Sequence, residues 1–190
     1  MIRLTISSII NIAVVCFLSA SARQDTYRNQ EYGITMPTPV GALLCLPPGN
    51  EHDHGPVFLL GNRNPSECRN SDNRGRYIDI FASGNAVVRT KTLDGFLKYW
   101  ACNGQRSPCT SAPGDLKISG LSSLAARVNH PSGWIDISVV TQAGKPDPAF
   151  DPTVPSINYI LGLHTNQEHY DEDLRVFRQM LKTIKLSPPD

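Results

Sequence analysis

The chain lacks the features by which most functions announce themselves. Basic and acidic residues number 18 and 17, with no basic run, so no electrostatic case exists for nucleic acid or an anionic membrane surface. There is no Gly-x-Ser-x-Gly elbow, no His-Glu-x-x-His helix and no Gly-rich phosphate loop, which removes the commonest hydrolase, zinc-protease and nucleotide-binding signatures. No Cys-x-x-Cys pair suggests a metal knuckle. No repeat recurs at solenoid periods. The sole Asn-x-Ser/Thr sequence begins at Asn64, where Pro65 blocks glycosylation. Fifteen prolines and fourteen glycines are scattered without period, as in a loop-rich domain rather than a fibre.

What is present begins at the N-terminus. Arg3 precedes an apolar stretch from Ile9 to Leu18, and Ala20, Ser21 and Ala22 form a small-x-small cleavage site. That order reads as a secretory signal peptide cleaved after Ala22, its apolar run too short to span a membrane. Val15 ahead of Cys16, and the place of Cys16 inside the run, argue against lipid attachment. The expected mature product is one exported globular domain, residues 23–190, secreted or periplasmic. Losing Arg3 with the leader balances its charge.

Export changes the reading of the cysteines. Cleavage removes Cys16 and leaves Cys45, Cys68, Cys102 and Cys109, an even set that implies two disulfides in an oxidising compartment. Four cysteines allow three pairings. Cys102 and Cys109 enclose a short loop with Gly104 and Pro108, and Cys45 with Cys68 would then tie an early strand to a polar loop. In the chain-entropy account the two bridges contribute roughly 2.5 and 3.5 kcal/mol.

Short apolar runs at Tyr32–Met36, Ala42–Leu46 and Val57–Leu60, punctuated by proline and glycine, predict strands, the first two joined by a turn. Residues 23–31 are expected to fray, and 61–76 to form a long polar loop. Tyr77–Ala82 alternates, with Ile78 and Ile80 on one face and Tyr77, Asp79 and Phe81 on the other; Ala86–Val88 could extend it. A helix is predicted over Leu93–Ala101, capped by Thr92, with Leu93, Phe96, Leu97 and Trp100 on one stripe. Leu124–Val128 and Trp134–Val140 make the clearest hairpin, turning at 129–133. Prolines at 146, 148, 152 and 155 predict a loop over 143–156, followed by a strand at Ile157–Leu163. Tyr170–Ile184 is the last helix, with acids in its first turn and Lys182 and Lys185 at its end, matching the helix dipole.

Hairpin-joined strands that outnumber two helices predict an α+β fold, a mainly antiparallel sheet covered by helices. The early Tyr32, Gly33, Ile34 to Pro37 run, the short helix Leu93–Trp100, the central hairpin and the final helix ending in Ile184, Lys185 and Leu186 together resemble the layout of PsbP-like αβα-sandwich domains. That resemblance covers most of residues 23–190 and implies a non-enzymatic accessory or binding role. It carries no catalytic residue with it.

Several side-chain groups have the chemistry for a site. His52 and His54, beside Glu51 and Asp53, point the same way only on an extended chain. A zinc ion there would need a further ligand such as His130, His164 or Glu168; the alternative is a solvated turn. His164 and His169 stand at element boundaries, where histidines are usually polar caps; either could be a general base if a nucleophile lies near. Ser119, Ser122 and Ser123 beside Gly120 read as turn residues. Asp79 and Asp136 sit in matching aromatic-Ile-Asp-Ile patterns behind Tyr77 and Trp134. If their strands lie close, the carboxylates share a sheet face and could do acid–base work; otherwise each bonds a local cation.

The sequence therefore favours a binding protein of a bacterial cell envelope, such as an accessory factor or an inhibitor or immunity protein. It would meet a protein partner, with no cofactor, no nucleic acid and no embedding in the membrane. Contacts are expected on loops 61–76, 103–108 and 143–156, with Arg63, Arg69, Arg74, Arg76 and Arg106 meeting an acidic surface. The alternatives are an exported hydrolase using Asp79 and Asp136 or a boundary histidine, and a metal or small-molecule carrier using His52 and His54.

Overall fold

A computed structural model describes residues 25–47, 52–61, 63–69, 75–84, 92–102, 108–118, 120–146 and 151–188. The leader, Glu51, Arg74, the Ala86–Val88 extension, Arg106 and Ser119 lie outside these residues, and Arg69 is described through its backbone alone.

Among the described residues ten strands form two sheets: β1 Thr26–Asn29, β2 Ile34–Pro37, β3 Leu43–Cys45, β4 Val57–Leu59, β5 Tyr77–Gly84, β6 Cys109–Ser111, β7 Ser123–Asn129, β8 Trp134–Pro146, β9 Pro155–Asn166 and β10 Lys185–Leu186. The large sheet runs β3-β4-β5-β9-β8-β7-β6 and the small one β1-β2-β10, and every pairing is antiparallel. Helix α1 covers Leu93–Leu97 and widens into a π-helical turn over Lys98–Cys102; α2 covers Tyr170–Thr183. No helix among the described residues is long and apolar enough to cross a membrane.

Period-two alternation divides the large sheet into two faces. Its inner face presents Phe58, Ile78, Ile80, Ile137, Val139, Leu161 and Leu163, all buried. Leu174, Phe177 and Leu181 of α2 and Ile34 and Met36 of β2 close the same core. Each such side chain contributes about 1.5–3 kcal/mol by leaving water. Tyr159 spans the layers, its hydroxyl donating to the Tyr32 carbonyl at 2.5 Å. The outer face is packed at one end by α1, whose Phe96 is buried with Ala126, Val128 and Val140. Thr92 caps α1 as predicted, accepting from the Gly95 amide at 3.0 Å.

The layering is α+β with a mainly antiparallel sheet, as the element order implied. Several local expectations change. Residues 26–29 do not fray: Tyr27 and Asn29 point inward, and the Asn29 amide donates to the Asp53 carbonyl at 2.5 Å. β2 and β3 are joined in sequence but enter different sheets, because β2 pairs with β1 and with the chain's last strand. The 143–156 loop is shorter than expected. β8 continues through a register shift to Pro146, and Pro146 and Pro155 face each other at the end of the ladder, where a missing N–H costs little. The second half of the predicted first helix is π-helical, and Trp100, the last residue of the predicted stripe, stays partly exposed at 39%. The polar 61–76 segment holds a 3-10 turn at Pro65–Arg69.

Candidate functional site

Strand register places the chemistry. Across the outer face, Leu59, Tyr77, His164, Asp136, Val128 and Cys109 stand opposite one another on successive strands. In the adjacent row stand Cys45, Val57, Asp79, Gly162, Ser138, Ala126 and Ser111. Asp79 and Asp136 therefore do share a face, although β9 lies between their strands. They line one cleft of about 150 Å³ with Tyr77, Trp100, Ser138 and His164.

His164 is the centre of this arrangement. Its Nδ1 lies 2.5 Å from Asp136 Oδ1, and His130 Nε2 lies 2.6 Å from Asp136 Oδ2. The ring is stacked between Trp134 and Tyr77, with centroids 4.5 and 5.0 Å away. Its Nε2 makes no hydrogen bond to a described residue. A carboxylate on Nδ1 fixes that nitrogen as the donor and leaves Nε2 as the acceptor in the neutral ring. Partial burial pushes the Asp136 carboxyl upward, but the hydrogen bonds from His164 and His130 and the charge of those rings outweigh it. Together they hold the group below the usual carboxylate range.

Gly162 shapes the cleft floor. A Cβ there would collide with the Asp79 carboxylate, so the Asp79 side chain lies across β9 toward β8. Trp100, at the end of α1, closes one side and packs on Phe81 with centroids 5.2 Å apart. The constellation offers two carboxylates, an oriented imidazole and several aromatic faces. Ser138 forms no hydrogen bond with His164.

Both disulfides frame this face. Cys45–Cys68 and Cys102–Cys109 have Cα separations of 5.3 and 5.5 Å. Cys45 lies on β3 and Cys109 on β6, the two edges of the large sheet. One bridge fastens the 3-10 turn to the first edge, and the other fastens the π-helical turn to the second. This is the pairing suggested by the short Cys102–Cys109 loop.

Other candidate residues are placed apart. Arg63 pairs with Glu67 at 2.8 Å and donates to the Leu60 carbonyl at 3.1 Å. Arg76 pairs at 2.8 Å with Asp173, which is 2% exposed and also accepts from Thr165. Both guanidinium groups are thus engaged within the domain. His52 and His54 lie with ring centroids 6.0 Å apart. His54 Nδ1 is 2.9 Å from the Ala82 carbonyl and 3.2 Å from the Tyr32 hydroxyl, while His52 faces solvent near Glu31. No group of three or more histidine, cysteine, aspartate or glutamate side chains is placed to hold a metal ion among the described residues. His169 is a helix-start residue whose amide and ring both approach Asn166 Oδ1, at 3.1 and 3.0 Å. The Ser122 carbonyl and Ser123 hydroxyl serve local turns, accepting from Thr141 and the Ile118 amide.

Sequence reasoning identified Asp79, Asp136, Tyr77 and Trp134 but treated His130 and His164 separately. It did not find Gly162, Ser138 or Trp100 as parts of the cleft. The only signal joining them is strand register, which brings residues 77, 136 and 164 side by side.

The class defined here is an α+β domain with antiparallel sheets, a helix on each side of the larger one and two disulfides. No family model matches the chain, and no curated protein matches it. Among solved structures it is similar to cyanobacterial PsbP (CyanoP) from Synechocystis sp. PCC 6803, with 14% sequence identity and a TM-score of 0.49, covering 90% of this chain and 97% of that one.

Proposed function

We propose that this chain is an exported, non-enzymatic binding protein of the cell envelope, an accessory factor or an inhibitor or immunity protein acting on a protein partner. The observation that carries the reading is the placing of the disulfides: each fastens one edge strand of the large sheet, and both stand on the face that bears the aromatic and charged cleft. Cross-links at the edges hold a binding face rigid and lower the ordering cost of association. Exposed Tyr99 and Trp100 beside that face are of the residue types that anchor protein interfaces.

The test is a pull-down from the source envelope fraction, with oxidised residues 23–190 as bait and reduced protein as control. One stoichiometric partner, lost on reduction, is the expected result. Absence of a partner in both states overturns the reading.

A second reading has one specific support, the His164–Asp136 pair with Nε2 directed away from the carboxylate. An oriented imidazole of this kind can take a proton from water attacking a substrate. The oxidised protein would then hydrolyse a cell-wall, lipid or peptide substrate, and His164→Gln would abolish turnover without changing the melting temperature by more than a few degrees. Failure on all three substrate classes removes this reading.

A further inference from the structure

A second concavity lies on the opposite side of the domain, away from the cleft. It has a volume of about 510 Å³ and runs between α2 and the β2–β3 connection. Arg175, Arg178 and Lys182 are spaced at i, i+3 and i+7, so they follow one side of α2. Arg178 is neutralised by Asp115 at 2.7 Å. Arg175 and Lys182 form no ion pair among the described residues. Seven residues of helix set these two cations about 10 Å apart along the axis.

The rest of the groove is mainly apolar, with Gln179 and Thr183 as further polar groups. Pro39 and Met180 are buried, and Val40 stands at its rim with 86% of its surface exposed. Val40 is not on a loose loop. The Ala42 amide donates to the Pro39 carbonyl at 3.1 Å, and Gly41 takes a φ of 75°, a turn position that a side chain disfavours. The turn therefore holds an apolar side chain in solvent beside Arg175 and Lys182, the second of which also stands within electrostatic reach of Asp115.

We propose that this groove seats an acidic segment of a partner protein, with carboxylates about 10 Å apart meeting Arg175 and Lys182 and an apolar side chain between them packing on Val40. The proposal rests on the binding-protein reading and adds to it a docking surface and the chemistry of the partner. Charge complementarity selects the occupant: three cations, Arg175, Arg178 and Lys182, stand against the single carboxylate of Asp115, so a basic segment is repelled and an acidic one attracted.

The experiment measures fluorescence anisotropy of a labelled peptide of glutamates and leucines alternating in pairs, with the oxidised full domain. A second peptide carries lysine in place of glutamate. Saturable binding of the acidic peptide alone is expected, weakened at least tenfold by Arg175→Glu with Lys182→Glu and about fivefold by Val40→Ser. All three positions lie on the surface, so circular dichroism should be unchanged. Equal binding by the double variant, equal binding of the lysine peptide, or no saturation below about 1 mM overturns the groove. So does binding to phosphatidylglycerol vesicles without binding to the peptide. If the wild-type bait captures a partner and the double variant captures it equally, the groove fails while the binding reading stands. If the envelope yields no partner but the peptide pattern holds, the groove stands and the wider reading fails.

Discussion

The Asp79 carboxylate lies over Gly162, in the space that a Cβ at residue 162 would occupy. The glycine is what lets a β5 side chain lie over the neighbouring strand β9 within the cleft. Gly162→Ala should therefore force Asp79 aside, at a cost of about 1 kcal/mol or less because the obstructing atoms are the end of a flexible side chain. Combining it with Asp79→Ala should recover much of that loss, since the two act on the same space. Urea unfolding of the two single variants and the double variant gives the coupling directly; additive losses would mean that the carboxylate and the glycine do not compete.

Asp136 ties the histidines to stability at low pH. Its carboxyl titrates below the usual range in the folded state, whereas in the unfolded chain it titrates near about 3.9. A depressed carboxyl pKa contributes stability that is present above the unfolded value and is lost as pH falls through the folded one. The stability gap between wild type and Asp136→Asn should therefore narrow as pH falls below about 4. Urea midpoints between about pH 5 and about pH 3 check it, and a gap that stays constant or widens across that interval would contradict the assignment.

The two bridges should differ in strength. Their sequence separations are 23 and 7 residues, so the chain-entropy relation gives about 3.5 kcal/mol for Cys45–Cys68 and about 2.5 kcal/mol for Cys102–Cys109. Paired alanine substitutions, measured by denaturant unfolding, should reproduce that order.

The arginines divide by burial. Asp173→Ala leaves Arg76 and Thr165 without their shared carboxylate in a buried place, and should cost about 3–5 kcal/mol. Arg63→Ala removes a pair whose members are 24% and 30% exposed, and should cost about 1 kcal/mol or less. Thermal unfolding of both variants separates a structural cation from a surface one; equal losses would contradict the division.

Much of the architecture was legible because local pattern and burial agree. Alternation assigned Ile78 and Ile80, and Ile135, Ile137 and Val139, to the buried face, and it placed Asp79 and Asp136 on the other. The apolar spacing of 174, 177, 181 and 184, with acids before and lysines after, located α2. The short Cys102–Cys109 loop suggested the bridge pairing that the fold contains. Misreadings arose where a neighbour distant in sequence decides the conformation. Residues 26–29 are polar in composition, but β2 and Asp53 supply their partners.

The same distinction governs the candidate sites. Sequence by itself determined the kinds of residue available, the face each strand residue would take and the helix faces, because side-chain period and apolar spacing are local properties of the backbone. Only tertiary structure decided that His164 stands beside Asp136, that Asp79 crosses Gly162, that Arg76 serves Asp173, and that Val40 stands beside the basic side of α2. These relations depend on strand order and register, and those are set by long-range packing of β9 between β5 and β8.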